Sequence, residues 1–445
     1  MGAQKPMFVS TKQAQIAELA RRYPQRAFTS LHHYIDLRWL HWAYHLTRKD
    51  GAVGVDGQTA AMYESDLEAN LHRLLDRVKS GRYKAPAIRR AYIPKGDGKQ
   101  RPLGIPTFED KIVQRAVVML LEPIYEQEFY HCSFGFRPQR SAHQALQSLR
   151  NHIMEESGRW ILDVDIQKYF DTIDHSRLRE FLDKRVVDGV IRKLIDKWLK
   201  AGVLENGKML YPTQGTPQGG VVSPLLANIY LHYVLDEWFE QDVKPRMQGK
   251  CSLTRFADDF VMVFEHYTDC YRVEQVLGKR FQRFGLQLHP EKTQRIDFRF
   301  RYRRENQRRG KEVNFTFLGF THYWGKSLKG RFVVNQKTAK GRLARTLKGF
   351  NEACRQHRHL PLDEQYVMLN RKLLGHYAYF GITGNIKSLK SVHHKVQRLW
   401  HKWLCRRSRT SYIPWSRFAL VLKRFPLAHP RIYHQYCHGH QLANQ

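Results

Sequence analysis

Apolar positions recur at helical spacing over residues 11–48, with Arg and His between them. They recur again over 59–80, where Met62, Leu67, Leu71, Leu74, Leu75 and Val78 follow the same period. Gly51 to Gly57 (GAVGVDG) packs three glycines and an Asp into seven residues and predicts a loop between them. Ala91–Pro94 reads as a short strand, 95–99 (KGDGK) as its turn and Gln100–Ile105 as the returning strand of a hairpin. A long helix is expected over 110–129, a buried strand over 160–166, and helices over 178–199 and 224–238. Leu253–Phe256 and Phe260–Phe264 predict two strands around Ala257-Asp258-Asp259, a second hairpin. Phe315–Phe320 predicts another strand, and from about 331 the pattern is helical to the end. Strands in the middle with helices at both ends imply an α+β fold, not alternating βαβ units.

A length of 445 residues is too much for one core and predicts two to four domains. Hydrophobic residues make up 42% of the chain, which excludes disorder. The formal charge of +34 exceeds what solubility needs and implies a polyanionic partner, nucleic acid ahead of a ribosomal-type or membrane-surface role. The charge is uneven. Residues 331–445 carry 22 Lys and Arg against Glu352, Asp363 and Glu364, a net +19, with Tyr377, Tyr379, Phe380, Trp400, Trp403, Tyr412 and Trp415 interleaved. Cations neutralise phosphates and flat rings stack on bases, although Trp400 and Trp403 beside Leu404 have core spacing. Six scattered cysteines form no CxxC pair and support neither a disulfide framework nor a zinc knuckle. Free thiols fit a reducing cytoplasm. The N-terminus lacks the apolar stretch of a signal peptide, and no apolar run reaches the ~18 residues of a membrane span.

The chemistry concentrates in two places. Thr254–Phe264 sets adjacent Asp258 and Asp259 between apolar runs, where like charges are costly unless a hard cation such as Mg²⁺ shares their oxygens. An exposed Asp-rich turn is the plain alternative. Leu162–Ile166 carries Asp163 and Asp165 inside another apolar strand, on one face by alternation. Were the two strands neighbours, three carboxylates would converge, which is what two-metal phosphoryl transfer requires.

These residues resemble reverse transcriptases, specifically those encoded by bacterial group II introns, which also act as maturases. GAVGVDG, YIPKGDGKQRPLGIP, SFGFRPQRSAHQAL, DVDIQKYFDTIDH, QGTPQGGVVSPLLANIYL, RFADDFVMVF, LHPEKT and FTFLGF follow the family's order and approximate spacing over nearly the whole chain. The family's aromatic gate lies five residues after its first aspartate. That points to Asp165 with Phe170 and leaves Asp163 a secondary role. The resemblance implies Asp165, Asp258 and Asp259 as catalytic. It implies Asp165, Ile166, Asp258 and Asp259 as the metal-holding set, for Mg²⁺ with Mn²⁺ as a substitute. Lys95 and Arg101 would neutralise the incoming triphosphate, Gln218 would line the nucleotide pocket, and Phe170 would block a ribose 2′-hydroxyl. Lys292 would protonate the leaving pyrophosphate, and Phe317, Leu318 and Gly319 would grip the primer end. Arg137 and His143 belong to a fingers motif. Phe256 replaces the family's usual Tyr, losing only a hydroxyl, so activity is expected to survive with altered fidelity.

The implied architecture is a right hand: N-terminal extension and fingers over 1–155, palm over 156–330, a helical thumb resembling the maturase domain over 331–410, and a short basic DNA-binding tail over 411–445. Paired cysteines of an HNH nuclease are absent there, so no endonuclease is expected. The expected partners are an RNA template, above all group II intron RNA in a ribonucleoprotein, together with a DNA primer or target and dNTPs, and no membrane. The expected activity is RNA-directed DNA synthesis, with assistance to splicing and retrohoming. Two rivals stay open: a splicing factor with a vestigial polymerase site, and a domesticated relative in host defence, such as beside a CRISPR adaptation module.

Overall fold

The computed structural model describes residues 6–94, 100–155, 158–205, 207–211, 213–300, 313–327, 329–408 and 410–436. Lys95 and most of the arginine-rich run between Arg299 and Lys311 lie outside the described residues. The chain divides into two compact units, one of residues 1–145 with 161–295 and the other of 146–160 with 296–445. Helices and sheets are mixed in the α+β manner expected.

The first unit is organised around the helix Phe108–Tyr125, most of whose side chains are buried. Thr107 caps it, its hydroxyl accepting from the Asp110 amide at 3.3 Å, and Glu109 and Asp110 complement the helix dipole. The helix ends at Tyr125, before the Phe129 expected. The helices Met7–Arg22 and Leu37–Leu46 pack on it, with Trp39 Nε1 donating to the Ala116 carbonyl at 3.0 Å. The single helical stretch expected over 11–48 is therefore two. Tyr23 precedes Pro24, which disfavours helix, and Asp36 caps the second helix by accepting from the Trp39 amide. The stretch expected over 178–199 also splits, into His175–Asp183 and Gly189–Leu199, where Asp188 caps the restart.

Two sheets belong to this unit. Strands β1 (Ile88–Pro94) and β2 (Gln100–Ile105) form the expected antiparallel hairpin, and β1 pairs in parallel with β4 (Val203–Glu205), which in turn pairs with β5 (Lys208–Leu210). The other sheet has the order β6-β7-β3-β8, built from β3 (Trp160–Val164), β6 (Cys251–Phe256), β7 (Asp259–Phe264) and β8 (Gln294–Asp297). Between β5 and β6 runs a helix, Ser223–Leu231, that continues as a π-turn over His232–Asp236 instead of remaining regular to Trp238.

The second unit contains β9 (Asn314–Phe317), β10 (Phe320–Lys326) and β11 (Phe332–Thr338), followed by the helices Lys340–Gln356, Leu362–Phe380, Ile386–Leu404 and Trp415–Arg424. The strand expected over 315–320 is thus a hairpin, with Leu318 (φ 49°) and Gly319 (φ 82°) as its two turn residues. Residues 332–338 are a strand, not helix. Trp400 is core, as its spacing predicts, and donates to Gln365 Oε1 at 2.9 Å, whereas Tyr412 and Trp415 are exposed. The segment after the last helix folds back within this unit: Ile382 bridges His434, and the Tyr436 hydroxyl donates to Gln336 at 2.7 Å. Among the described residues no helix is long and apolar enough to cross a membrane, and Cys132, Cys251, Cys270, Cys354 and Cys405 are free thiols.

Candidate active site

Strands β6 and β7 are joined by a two-residue turn, because Phe256 pairs with Asp259 and leaves only Ala257 and Asp258 between them. Ala257 holds φ 58°, a value that favours glycine. Asp258 is half-buried and Asp259 exposed. Strand β3 lies beside β7, the adjacency that the convergence of carboxylates requires. Beyond β3 the chain stays extended: Ile166 bridges Leu288, the Asp165 carbonyl accepts from the His289 amide and the Gln167 amide donates to Gln287, each at 2.8 Å. The bridge therefore uses the Asp165 carbonyl and leaves that of Ile166 outside it. The turn after His289 sets Lys292 Nζ 2.5 Å from Asp165 Oδ2.

The acidic groups feel one another. Burial pushes the Asp163 carboxyl up to about 7, and the negative charges of Asp259 and Asp165 push in the same direction. Burial raises Asp258 as well; Asp165 adds to the rise, while Arg101 and Arg255 oppose it. Asp163, read from sequence as secondary, is thus electrostatically part of the same cluster. Arg101 on β2 lies close enough to act on Asp258. Among the described residues no three Asp, Glu, His or Cys side chains come within reach of one common ion. The donor set nonetheless suits a hard divalent cation: half-buried oxygens whose mutual repulsion a 2+ charge would relieve.

Of the residues expected around a nucleotide, Phe170 and Gln218 meet at one loop. The Thr216 amide donates to the Phe170 carbonyl at 2.7 Å, and the Gly104 amide of β2 donates to the Gln218 carbonyl at 2.5 Å. Gly219 has φ 114°, and a Cβ there would collide with the Gly104 carbonyl, so the loop packs against β2 only because it has no side chain at that position. From the other side Gln114 Oε1 accepts from the Val221 and Val222 amides at 2.7 and 3.2 Å. Gln114 is itself held by Asp110, a buried carboxylate that also accepts from Trp198 Nε1 at 2.7 Å and from Tyr83. No sequence motif singles out Gln114 or Asp110. Their only trace in the sequence is two polar residues, one helical turn apart, on the otherwise apolar buried face of the helix.

Phe317, Leu318 and Gly319 lie in the second unit. Phe317 is buried and Leu318 half-buried, and Tyr379 donates to the Leu318 carbonyl at 2.9 Å. Arg137, nearly buried, is engaged by Glu126 and by the Tyr130 and Ser133 carbonyls, a structural arrangement.

A family model described as reverse transcriptase (RNA-dependent DNA polymerase) matches residues 93–322. Protein YkfC of Escherichia coli (strain K12) is 36% identical over 289 residues, which are 58% of this chain and 76% of that protein. The group II intron-encoded protein LtrA of Lactococcus lactis subsp. cremoris is 39% identical over 223 residues, 49% of this chain and 36% of LtrA. The nuclear intron maturase 2, mitochondrial, of Arabidopsis thaliana is 30% identical over 177 residues, 31% of this chain and 24% of that protein. The match to LtrA thus spans about a third of that protein's length. With the matched region running from the β1–β2 hairpin through both carboxylate strands, the chain belongs to the reverse transcriptases, and among them to the group II intron-encoded reverse transcriptase/maturases.

Proposed function

We propose that the protein extends a DNA primer on an RNA template, using two Mg²⁺ ions held by Asp165, Asp258 and Asp259 with the Ile166 carbonyl. The observation that supports this most directly is the placing of β3 beside β7, with Asp163 and Asp258 raised first by burial and further by the negative charge of Asp165. When bound, such ions lower the pKa of the primer 3′-hydroxyl and steady the triphosphate. The chain's own residues do the rest. Arg101, with Lys95, draws the triphosphate toward Asp258. Gln218, on a loop fixed from both sides, meets the nucleotide. Phe170, anchored through its carbonyl, excludes a 2′-hydroxyl by bulk. Lys292 holds a proton beside Asp165, where it can pass to the pyrophosphate. The Phe317–Gly319 turn grips the primer, in a molecule divided into fingers to 155, palm to 330, thumb to 410 and a basic tail. The maturase names among the relatives favour a second role of the same protein: binding intron RNA as a ribonucleoprotein to assist splicing and retrohoming.

The test is primer extension with Mg²⁺ on an RNA template. Asp258→Asn should lower the rate more than about 1,000-fold, since it removes a metal ligand, while affinity for RNA stays within a few-fold because it removes few phosphate contacts. Extension at the wild-type rate by this variant would sink the metal assignment. A wild-type protein that assists splicing without extending primers would leave the splicing role alone standing.

A further inference from the structure

The Ala257–Asp258 turn poses a mechanical question. Its first residue sits at φ 58° without being glycine, and nothing in an alanine selects that conformation. Something outside the turn must hold it. Arg255, two residues before Ala257, is fully buried, and so is its partner Asp236. Arg255 Nε and Nη2 donate to the two Asp236 oxygens at 2.7 and 2.5 Å. That leaves Nη1, which donates to the Ala257 carbonyl and to Asn228 Oδ1, both at 3.0 Å, while Nη2 also reaches Ser133 Oγ at 2.7 Å. The geometry points to Arg255 as a positioning residue for polymerisation: anchored on Asp236 and Asn228, its guanidinium grips the Ala257 carbonyl and thereby sets the place of Asp258.

The peptide bond explains how the grip is transmitted. The Ala257 carbonyl and the Asp258 nitrogen and Cα lie in one plane, so holding the oxygen orients the start of Asp258. The supporting elements are shaped for this. Asn228 and Asp236 are eight residues apart, which in a regular α-helix is a rotation of roughly 80° from one face. The π-turn at His232–Asp236 is wider and turns the two back toward one face, so one guanidinium meets both. Asn228 Nδ2 donates to the Gly135 carbonyl at 2.6 Å, and a Cβ on Gly135 would collide with the Ala257 nitrogen. The Arg255 amide donates to the Cys132 carbonyl at 2.8 Å and its carbonyl accepts from the Phe134 amide at 2.9 Å. The turn is therefore seated on the 132–135 segment from one side and gripped through its carbonyl from the other. A buried pair serving stability alone would not need a nitrogen on the turn.

This inference rests on the polymerase reading, and its test separates the two. In Arg255→Lys the cation remains, but one ammonium cannot serve Asp236, Asn228, Ser133 and the Ala257 carbonyl together. Primer extension is measured per folded molecule, with kcat, KM for dNTP, the Mg²⁺ concentration for half-maximal rate, and RNA affinity. The expected result is a fall in kcat of about 100-fold, the scale of a small misplacement at a reacting centre. The Mg²⁺ midpoint should rise, while KM and RNA affinity stay within about 3-fold. A wild-type kcat and Mg²⁺ midpoint, or a loss that only follows the unfolded fraction, overturns the proposal. Should Arg255→Lys fail to fold, Asn228→Ala decides, because it leaves the ion pair intact and frees Nη1 on one side. A reduced kcat with a raised Mg²⁺ midpoint supports the grip, and an unchanged kcat overturns it. A wild-type protein that does not extend primers removes the polymerase reading and this inference with it.

Discussion

In the unit that carries the carboxylates, charge is taken inside and fastened: Arg255 on Asp236, Asp110 beneath Trp198 and Gln114, Arg137 on Glu126. In the other unit, Lys348, Lys395, Arg398 and Lys402 line an open cleft of about 680 Å³ with Leu347, Leu399 and Trp415. Both units are rich in cations, so composition alone does not separate them. The difference is what the charge is asked to do. Burying a charge costs several kcal/mol and is tolerated only when partners are placed closely, which makes a buried charge a device for holding geometry. An exposed cation costs little and keeps its reach for phosphate. Charge in the first unit fixes a turn and a loop beside the candidate site, and charge in the second forms a surface that suits a nucleic-acid backbone.

The largest expected effect tests this contrast through stability. Asp236→Asn leaves Arg255 buried without its counter-charge and should cost about 3–5 kcal/mol. Lys395→Gln or Arg398→Gln should change stability by less than about 0.5 kcal/mol. Urea unfolding of the three variants measures both; similar losses would erase the distinction between fastened and exposed charge. The next effect reverses the ranking. Replacing Lys348, Lys395, Arg398 and Lys402 together by Gln should weaken structured-RNA binding by about 100-fold near 0.1 M salt. The slope of log affinity against log salt should fall by up to about 3, near 0.7–0.9 per phosphate contact. Asp236→Asn, among molecules still folded, should keep the wild-type slope. A quadruple variant with an unchanged slope would show that the cleft does not meet phosphate.

Legibility in the sequence followed the same division. The carboxylate hairpin and β3 could be read because Asp residues inside apolar runs contradict their surroundings, and the contradiction is local. Strand β11 could not. It buries Val334, Gln336 and Thr338 on one face, so its inward side is largely polar and shows no alternation of hydrophobicity. Those polar groups are satisfied at a distance: Gln336 donates to the Leu146 carbonyl at 3.2 Å, and Asn385 donates to the Thr338 hydroxyl at 2.9 Å. The break inside Phe315–Phe320 was legible only in Gly319, since Leu318 also adopts positive φ and a leucine does not announce it. The helices Ala142–Glu155 and Tyr267–Arg283 are not marked by the pattern because their apolar stripes are narrow and interrupted by polar residues in the first and charged ones in the second. Arg255 stands in plain view in the motif, but its partner is 19 residues away on a π-turn, a placement no period encodes.

The smallest effect concerns a group the second unit buries without a counter-charge. His322 on β10 is fully buried and stacked on Phe315, ring centroids 4.7 Å apart. Gln336 Nε2 lies 3.3 Å from its Nδ1, and the His322 Nε2 has no hydrogen-bond partner among the described residues. An amide nitrogen donates, so Nδ1 accepts and the ring is neutral. Burial alone depresses its pKa from 6.5 to about 3. The unfolded chain therefore binds a proton below about pH 6.5 that the folded chain refuses. The stability this residue confers is complete above that pH and is lost as pH falls toward 3, by about 2 kcal/mol at pH 5. In the first unit Asp110 works in the opposite direction: burial raises it to about 6, so its contribution grows as pH falls from 6 toward 3.8. His322→Phe keeps the stacked ring and removes the titration. Thermal midpoints from pH 7.5 to 4.5 should fall less steeply for this variant than for the wild type. His232 and His376, depressed to about 3 and about 4 by burial, and the lowered carboxylates Asp36, Asp174 and Asp188 still add acid sensitivity. Parallel curves for the two proteins would mean that His322 does not remain neutral in the folded state. The second unit would then hold a buried cation as the first one does, and the contrast between them would fail at that residue.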